Sequence, residues 1–217
     1  MKIFAIDTST PRVVACYCDE ERKMLVELET KAKHGIQVTQ IADMLNNVDF
    51  GNLDIIGVGV GPGSLTGLRV GIAFAMGLGI GKKFVEINSL KLIAYNLEFY
   101  NGYVVVLRKA REGYLYGAIY KGNGNQGLIE EIEKPFIDDI ESVRKKVKAY
   151  TPSLCIGDGA EFFENSLNEN NYNVPSARNL LRLVEMEINS GRLVDVVEPL
   201  YLQKSIAELN FEKKQKS

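Results

Sequence analysis

Residues 55–79 read IIGVGVGPGSLTGLRVGIAFAMGLG. From Ile55 to Gly81, 27 residues carry a single charge, Arg69, which on length alone would span a bilayer. Composition points elsewhere. Nine of the chain's 20 glycines lie in this run, and Gly61-Pro62-Gly63-Ser64 breaks it into a strand-like IIGVGV and a helix-like LTGLRVGIAFAMGLG. The stretch is a buried strand, a glycine-rich loop and a helix, which marks an α/β protein.

Working outward from this unit, KIFAID at 2–7, RVVACYC at 12–18 and KMLVELE at 23–29 read as a three-strand meander with polar turns. An apolar stripe predicts a helix over 35–47 before the strand at 53–60 and the helix at 65–80. A strand at 83–87 follows, then a helix opened by Asn88 or Ser89 and running to about Phe99. The order then restarts. YVVVLRK at 103–109, GYLYGAIY at 113–120 and a strand at 126–133 form a second meander, with a turn built on 121–125. A helix over 139–149 capped by Asp138 or Asp139, a strand at 153–157 and helices over 159–169 and 176–190 complete it. The order β-β-β-α-β-α thus occurs twice, without visible residue-level similarity. It predicts two like-folded lobes, 1–102 and 103–217, with a mobile tail after Leu209.

The 217 residues can bury roughly 70% of the surface of the unfolded chain, so a real core is expected. Hydrophobic residues at 46% and charged residues at 25% exclude disordered and collagenous classes. A net charge of -2 argues against an autonomous nucleic-acid binder, because phosphate affinity needs a concentrated excess of Lys and Arg. Any binding of the isolated chain to nucleic acid should be weak and salt-sensitive. Cys16, Cys18 and Cys155 have neither disulfide-framework nor zinc spacing and read as buried small hydrophobes of a cytoplasmic protein. The start, MKIFAIDTST, lacks a signal-peptide apolar region.

Several motifs admit two readings each. Asp7-Thr8-Ser9-Thr10, closing the first strand, could offer hydroxyls and N–H groups to a phosphate, or be a turn capping the first hairpin. The loop at 61–64 opens a helix and is a potential anion site, yet it lacks the ending of a P-loop and the spacing of a dinucleotide fingerprint. Gly67, Gly71 and Ala75 recur every fourth residue, a groove for a close helix neighbour either within the lobe or on another chain. Arg69, early in that helix, opposes the helix dipole and should meet a carboxylate or carbonyl, or lie on a solvated face. His34, the chain's one histidine, suits a capping or surface role. Gly157-Asp158-Gly159-Ala160 follows a strand and reads as a nucleotide-facing turn or a plain strand–helix turn. The basic residues Arg144, Lys145, Lys146 and Lys148, with Lys213, Lys214 and Lys216, read as solvated faces.

AIDTST at 5–10, GVGPGSLTGLRVGIAFAMGLG at 59–79, NSLKLIA at 88–94, REGYLYGAIY at 111–120, GDGA at 157–160 and PLYLQ at 199–203 together resemble, in order, the TsaB (YeaZ) family. That family belongs to bacterial biosynthesis of threonylcarbamoyladenosine in tRNA, and GPGSLTGLR is the most specific part of the match. The resemblance implies an actin-like (ASKHA) fold of two RNase H-like lobes. It implies a non-catalytic subunit of the assembly that transfers a threonylcarbamoyl group to N(6) of the adenosine beside the anticodon, in tRNAs reading codons that begin with A. In that family the chemistry belongs to the paralogue TsaD, and a P-loop ATPase, TsaE, joins the pair. ATP and a metal ion are then expected in partner subunits rather than on this chain, and tRNA reaches it through the complex, with no membrane involved.

Asp7, Thr8, Ser9, Thr10, Gly157 and Gly159 become a vestigial nucleotide site on this reading, since Ser9 stands where the wider superfamily has glycine. Lys109-Ala110-Arg111 replaces the family's usual Asp-Ala-Arg, and Gln203 replaces a closing arginine, so no role is transferred to them. The expected partner surface lies on the helices at 65–80 and 35–47, through Gly67, Leu68, Gly71, Ile72, Ala75, Met76, Ile41 and Leu45, with residues such as Val70 and Phe74 packing on the helix's own sheet, although spacing does not say which set faces which way. The same surface could pair with itself as a homodimer. The rival readings are a stand-alone actin-like ATPase or kinase and, with no nucleophile–base pair to support it, a peptidase.

Overall fold

The computed structural model describes residues 1–29, 32–124, 127, 129–167, 169 and 171–202. Gln203, the tail after Leu209 and the basic residues Lys213, Lys214 and Lys216 lie outside the described residues. The first sheet holds β1 (Ile3–Asp7), β2 (Arg12–Cys18), β3 (Lys23–Glu29), β4 (Ile55–Gly61) and β5 (Lys83–Asn88) in the order β3-β2-β1-β4-β5. β1, β2 and β3 form an antiparallel meander, and β4 joins β1 in parallel, as does β5 with β4. The second holds β6 (Tyr103–Lys109), β7 (Tyr114–Gly122), β8 (Ile129–Asp139) and β9 (Ser153–Ile156) in the order β8-β7-β6-β9, again a meander with a parallel fourth strand. The order β-β-β-α-β recurs in the two sheets, with β5 ending at Asn88 and β6 beginning at Tyr103.

The helices explain why the strands are apolar on both faces. α1 (His34–Met44) and α2 (Leu65–Leu78) cover the outer face of the first sheet over Phe4, Ile6, Val13 and Tyr17. α4 (Ile140–Val147) covers the outer face of the second, over Val105, Leu107 and Ile119. Between the sheets, α3 (Ser89–Ala94) and α5 (Ala177–Asn189) share one core with Ala5, Val14 and Cys16 from the first sheet and Val104, Val106 and Tyr120 from the second. α5 follows the second lobe in sequence but packs mainly on β2 and β5, while α3 packs on β6 and β7. Beyond α5 the chain returns to the first lobe. Val194 bridges antiparallel to Phe84, and the Leu200 N–H donates to the Val60 carbonyl at 2.8 Å.

Three expected elements differ. The helix over 159–169 is a single 3-10 turn, Ala160–Phe162. The chain then runs along the free edge of β9, where Asn165 O accepts from Cys155 N–H at 3.0 Å and Cys155 O from Leu167 N–H at 2.9 Å; edge pairing outcompetes local helix propensity. β8 continues to Asp139 through Pro135, tolerated because β8 is an edge strand. α3 ends at Ala94 and tightens into a 3-10 turn, Tyr95–Leu97. Among the described residues no helix is long and apolar enough to cross a membrane.

Candidate functional site

The turn after β1 is fully buried and closed on itself. Asp7 Oδ1 accepts from Ser9 N–H at 2.8 Å and from Ser9 Oγ at 2.6 Å, while Oδ2 accepts from Ser89 Oγ at 2.5 Å. Ser89 Oγ itself accepts from Gly61 N–H at 3.1 Å, tying the turn to the glycine-rich loop. Ser9 O accepts from Ser64 N–H at 2.8 Å, Thr8 Oγ1 donates to Gly67 O at 2.7 Å, and Thr10 Oγ1 donates to Arg12 O at 2.5 Å. Each side chain singled out in DTST therefore meets its hydrogen-bonding need inside the chain. The buried carboxylate is thus held by three hydrogen bonds, two on Oδ1 and one on Oδ2. Ser89 was not among the expected site residues. Asn88 caps α3 through the Leu90 and Lys91 N–H groups, which leaves the adjacent Ser89 hydroxyl to turn toward Asp7.

The GDGA turn is closed in the same sense. Gly157 N–H donates to Asn173 Oδ1 at 2.8 Å, Gly159 N–H to Leu107 O at 3.0 Å and Ala160 N–H to Gly157 O at 3.0 Å. Gly157 has φ +96, and a Cβ there would sit 2.1 Å from Leu107 O, so the glycine permits the turn to lie on the β6 backbone. Asp158 accepts from Lys109 N–H and from Nε of the buried Arg108, both at 2.9 Å. The Thr8, Ser9 and Thr10 hydroxyls and the Gly157, Gly159 and Ala160 N–H groups are thus engaged within the chain. Among the described residues no group of three His, Cys, Asp or Glu is placed to hold a metal ion.

The expected partner surface needs correction. Gly67, Leu68, Gly71, Ile72 and Ala75 on α2, with Ile41 and Leu45, are buried in the chain's own packing. The glycines bring α2 onto the β1 turn, where a Cβ at Gly67 would lie 2.1 Å from Thr8 O and one at Gly71 would lie 2.1 Å from Thr8 Oγ1. Helical periodicity identified an apolar face but not its direction. Val70 and Phe74, expected to carry the packing, are half-buried at the margin of the core. Met76 alone of the expected set is exposed, on a stripe with Leu65, Ala73 and Ile80, the last 84% exposed. On α1, Ile36 and Met44 are both more than half exposed. Arg69 meets a phenol, Tyr201, at 3.4 Å. His34 opens α1 with Nε2 3.2 Å from Thr10 O, so it buttresses the β1 turn.

The family described as TsaD, tRNA N6-adenosine threonylcarbamoyltransferase, matches residues 29–211. The Escherichia coli K12 protein named tRNA threonylcarbamoyladenosine biosynthesis protein TsaB is 26% identical over 224 residues, covering 95% of this chain and 96% of that protein. A Bacillus subtilis 168 protein of the same name is 30% identical over 139 residues, 61% of this chain and 59% of its own length. Two solved structures from Pseudomonas aeruginosa share the fold. One, described as an uncharacterized protein with similarity to peptidase YEAZ, has a TM-score of 0.77 at 22% identity over 93% of this chain and 99% of its own. The other, YeaZ, has a TM-score of 0.75 at 21% identity over 92% of this chain and 100% of its own.

Proposed function

The chain belongs to the family of the tRNA N6-adenosine threonylcarbamoyltransferase TsaD, on its TsaB (YeaZ) branch, and we propose that it serves threonylcarbamoyladenosine synthesis as a non-catalytic subunit. It supports the catalytic paralogue TsaD in the cytoplasm, with the ATPase TsaE as a further partner and tRNA arriving through the complex. The observation that carries the non-catalytic reading is the closure of the Asp7 turn by Ser9 and Ser89. ATP and metal chemistry then belong to the partner subunits. What this chain contributes is a rigid surface.

That surface is the exposed stripe of α2, Leu65, Ala73 and Met76, continued by Ile80 just beyond the helix, with Ile36 and Met44 of α1. Apart from the exposed Arg69, one turn from both Leu65 and Ala73, its side chains are apolar and solvent-facing, and the glycine-mediated seating of α2 on the β1 turn fixes where they stand. In the absence of TsaD a second copy takes the same surface, giving a homodimer.

The test is reconstitution of tRNA modification from this chain, TsaD, TsaE and the adenylate-forming enzyme. Omitting this chain should abolish the modified nucleoside. A Met76→Glu, Ile80→Glu double variant should stay folded by circular dichroism, lose co-elution with TsaD and lower product at least tenfold. Full product from the other three proteins would overturn the subunit reading, and undiminished co-elution of the variant would overturn the surface. Tight binding of ATP by the isolated chain in calorimetry would favour the stand-alone ATPase instead.

A further inference from the structure

The two lobes share a strand order but are not equally covered. In the first, β4 leads into α2, and α1 and α2 lie side by side on the outer face of the sheet. In the second, α4 stands over β7 and β8 as α1 stands over β2 and β3, but β9 leads only into the 3-10 turn Ala160–Phe162. Beside α4, where the counterpart of α2 would lie, there is an open cavity of about 640 Å³. Val147 and Phe163 form an apolar floor continuous with the core of the lobe, and the Phe162 ring is 37% exposed at its edge. Arg144 lines it from α4, donating to Phe162 O at 3.1 Å and to Glu141 at 2.6 Å. Lys148, one helical turn on, also lines it, and Lys145 is exposed on the same helix; among the described residues neither lysine is in an ion pair.

We propose that this groove docks an acidic amphipathic helix of a partner protein, laid beside α4 as α2 is laid beside α1. The inference rests on the chain being a subunit of an assembly. The first lobe supplies the template for a helix at this position, and the apolar floor asks for apolar side chains at i, i+3 and i+4. Lys148 in the lining and Lys145 outside it on the same helix ask for Asp or Glu on the α4 side of the groove, away from the lining Glu164, which sets the sign of the partner's charge. An RNA strand fits less well. A chain of net charge -2 has no concentrated basic field to hold phosphates.

The experiment places the photocrosslinking residue p-benzoylphenylalanine at position 162 of the full chain and irradiates the reconstituted, purified assembly in the presence of tRNA. The expected adduct joins position 162 to an Asp- and Glu-rich helical segment of a protein subunit. A Lys145→Glu, Lys148→Glu variant, changed only at exposed unpaired positions, should lower the yield of that adduct at least fivefold and slow association of the subunit about tenfold at low salt, with Lys→Arg at both positions restoring it. Adducts confined to tRNA, or no adduct in an assembly that still modifies tRNA, would overturn the docking inference and leave the subunit reading standing. Failure of any assembly to form would overturn both. An adduct unaffected by the charge reversal would overturn the acidic identity of the partner helix.

Discussion

Gly71 and Gly77 lie on the same helix in opposite surroundings. A Cβ at Gly71 would stand 2.1 Å from Thr8 Oγ1, whose donated bond to Gly67 O holds α2 against the β1 turn, whereas a Cβ at Gly77 meets nothing within 4 Å. Gly71→Ala should therefore destabilise by about 1–3 kcal/mol through overpacking. Gly77→Ala should stabilise by about 0.5–1 kcal/mol, because alanine loses less entropy in a helix. Urea midpoints of the two variants measure this, and equal shifts would contradict the assigned direction of the helix. At this scale the sequence was half legible. The recurrence of Gly67, Gly71 and Ala75 marked a close approach, but the neighbour proved to be a turn of the same chain. The closure of Asp7 was hidden for another reason: Ser89 lies 82 residues further on, and no local pattern links a helix-start serine to a distant carboxylate.

Among the elements, α4 depends most visibly on its cap. Asp139 accepts from Ser142 Oγ at 2.7 Å and Ser142 N–H at 3.0 Å, and these bonds, the hydroxyl first, hold its carboxyl below the usual range. A carboxylate with a depressed native pKa contributes its full stabilisation above the unfolded-chain value near 4 and loses it as pH falls through the lower native value. Asp139→Ala should thus lower the urea midpoint at pH 7, and the difference from the native sequence should shrink steadily below pH 4. A difference that is constant down to pH 2 would exclude the cap as its source. Strands such as KIFAID and YVVVLRK were legible from their apolar runs, and α5 was placed within a residue at each end, because hydrophobic period and Ser176 capping agree there. The run after Gly159 was not, since its residues suit a helix and only the unpaired edge of β9 draws them straight. Nor does an amphipathic pattern say which sheet a helix will cover, so the packing of α5 on the first was not legible in its sequence.

For the whole molecule, that crossing of α5 makes one core out of two lobes. The inner face of the first sheet, including Ile3, Ala5, Val14, Cys16 and Val85, is covered with α5 residues Leu180, Leu183 and Val184. The full chain should unfold in a single transition. A fragment of residues 1–102 should expose that face, bind a dye such as ANS and lack cooperative melting. A fragment with dispersed amide resonances and a sharp thermal transition would show the lobe to be self-sufficient. The same crossing orders events on the ribosome. The nascent first lobe has all five of its strands once residue 88 is made, but α5 and the Val194–Phe84 bridge are encoded about a hundred codons later. At ordinary translation speeds the sheet waits about 5–20 s with a bare apolar face, a window in which a chaperone, rather than the protein's own residues, must keep neighbouring nascent chains apart.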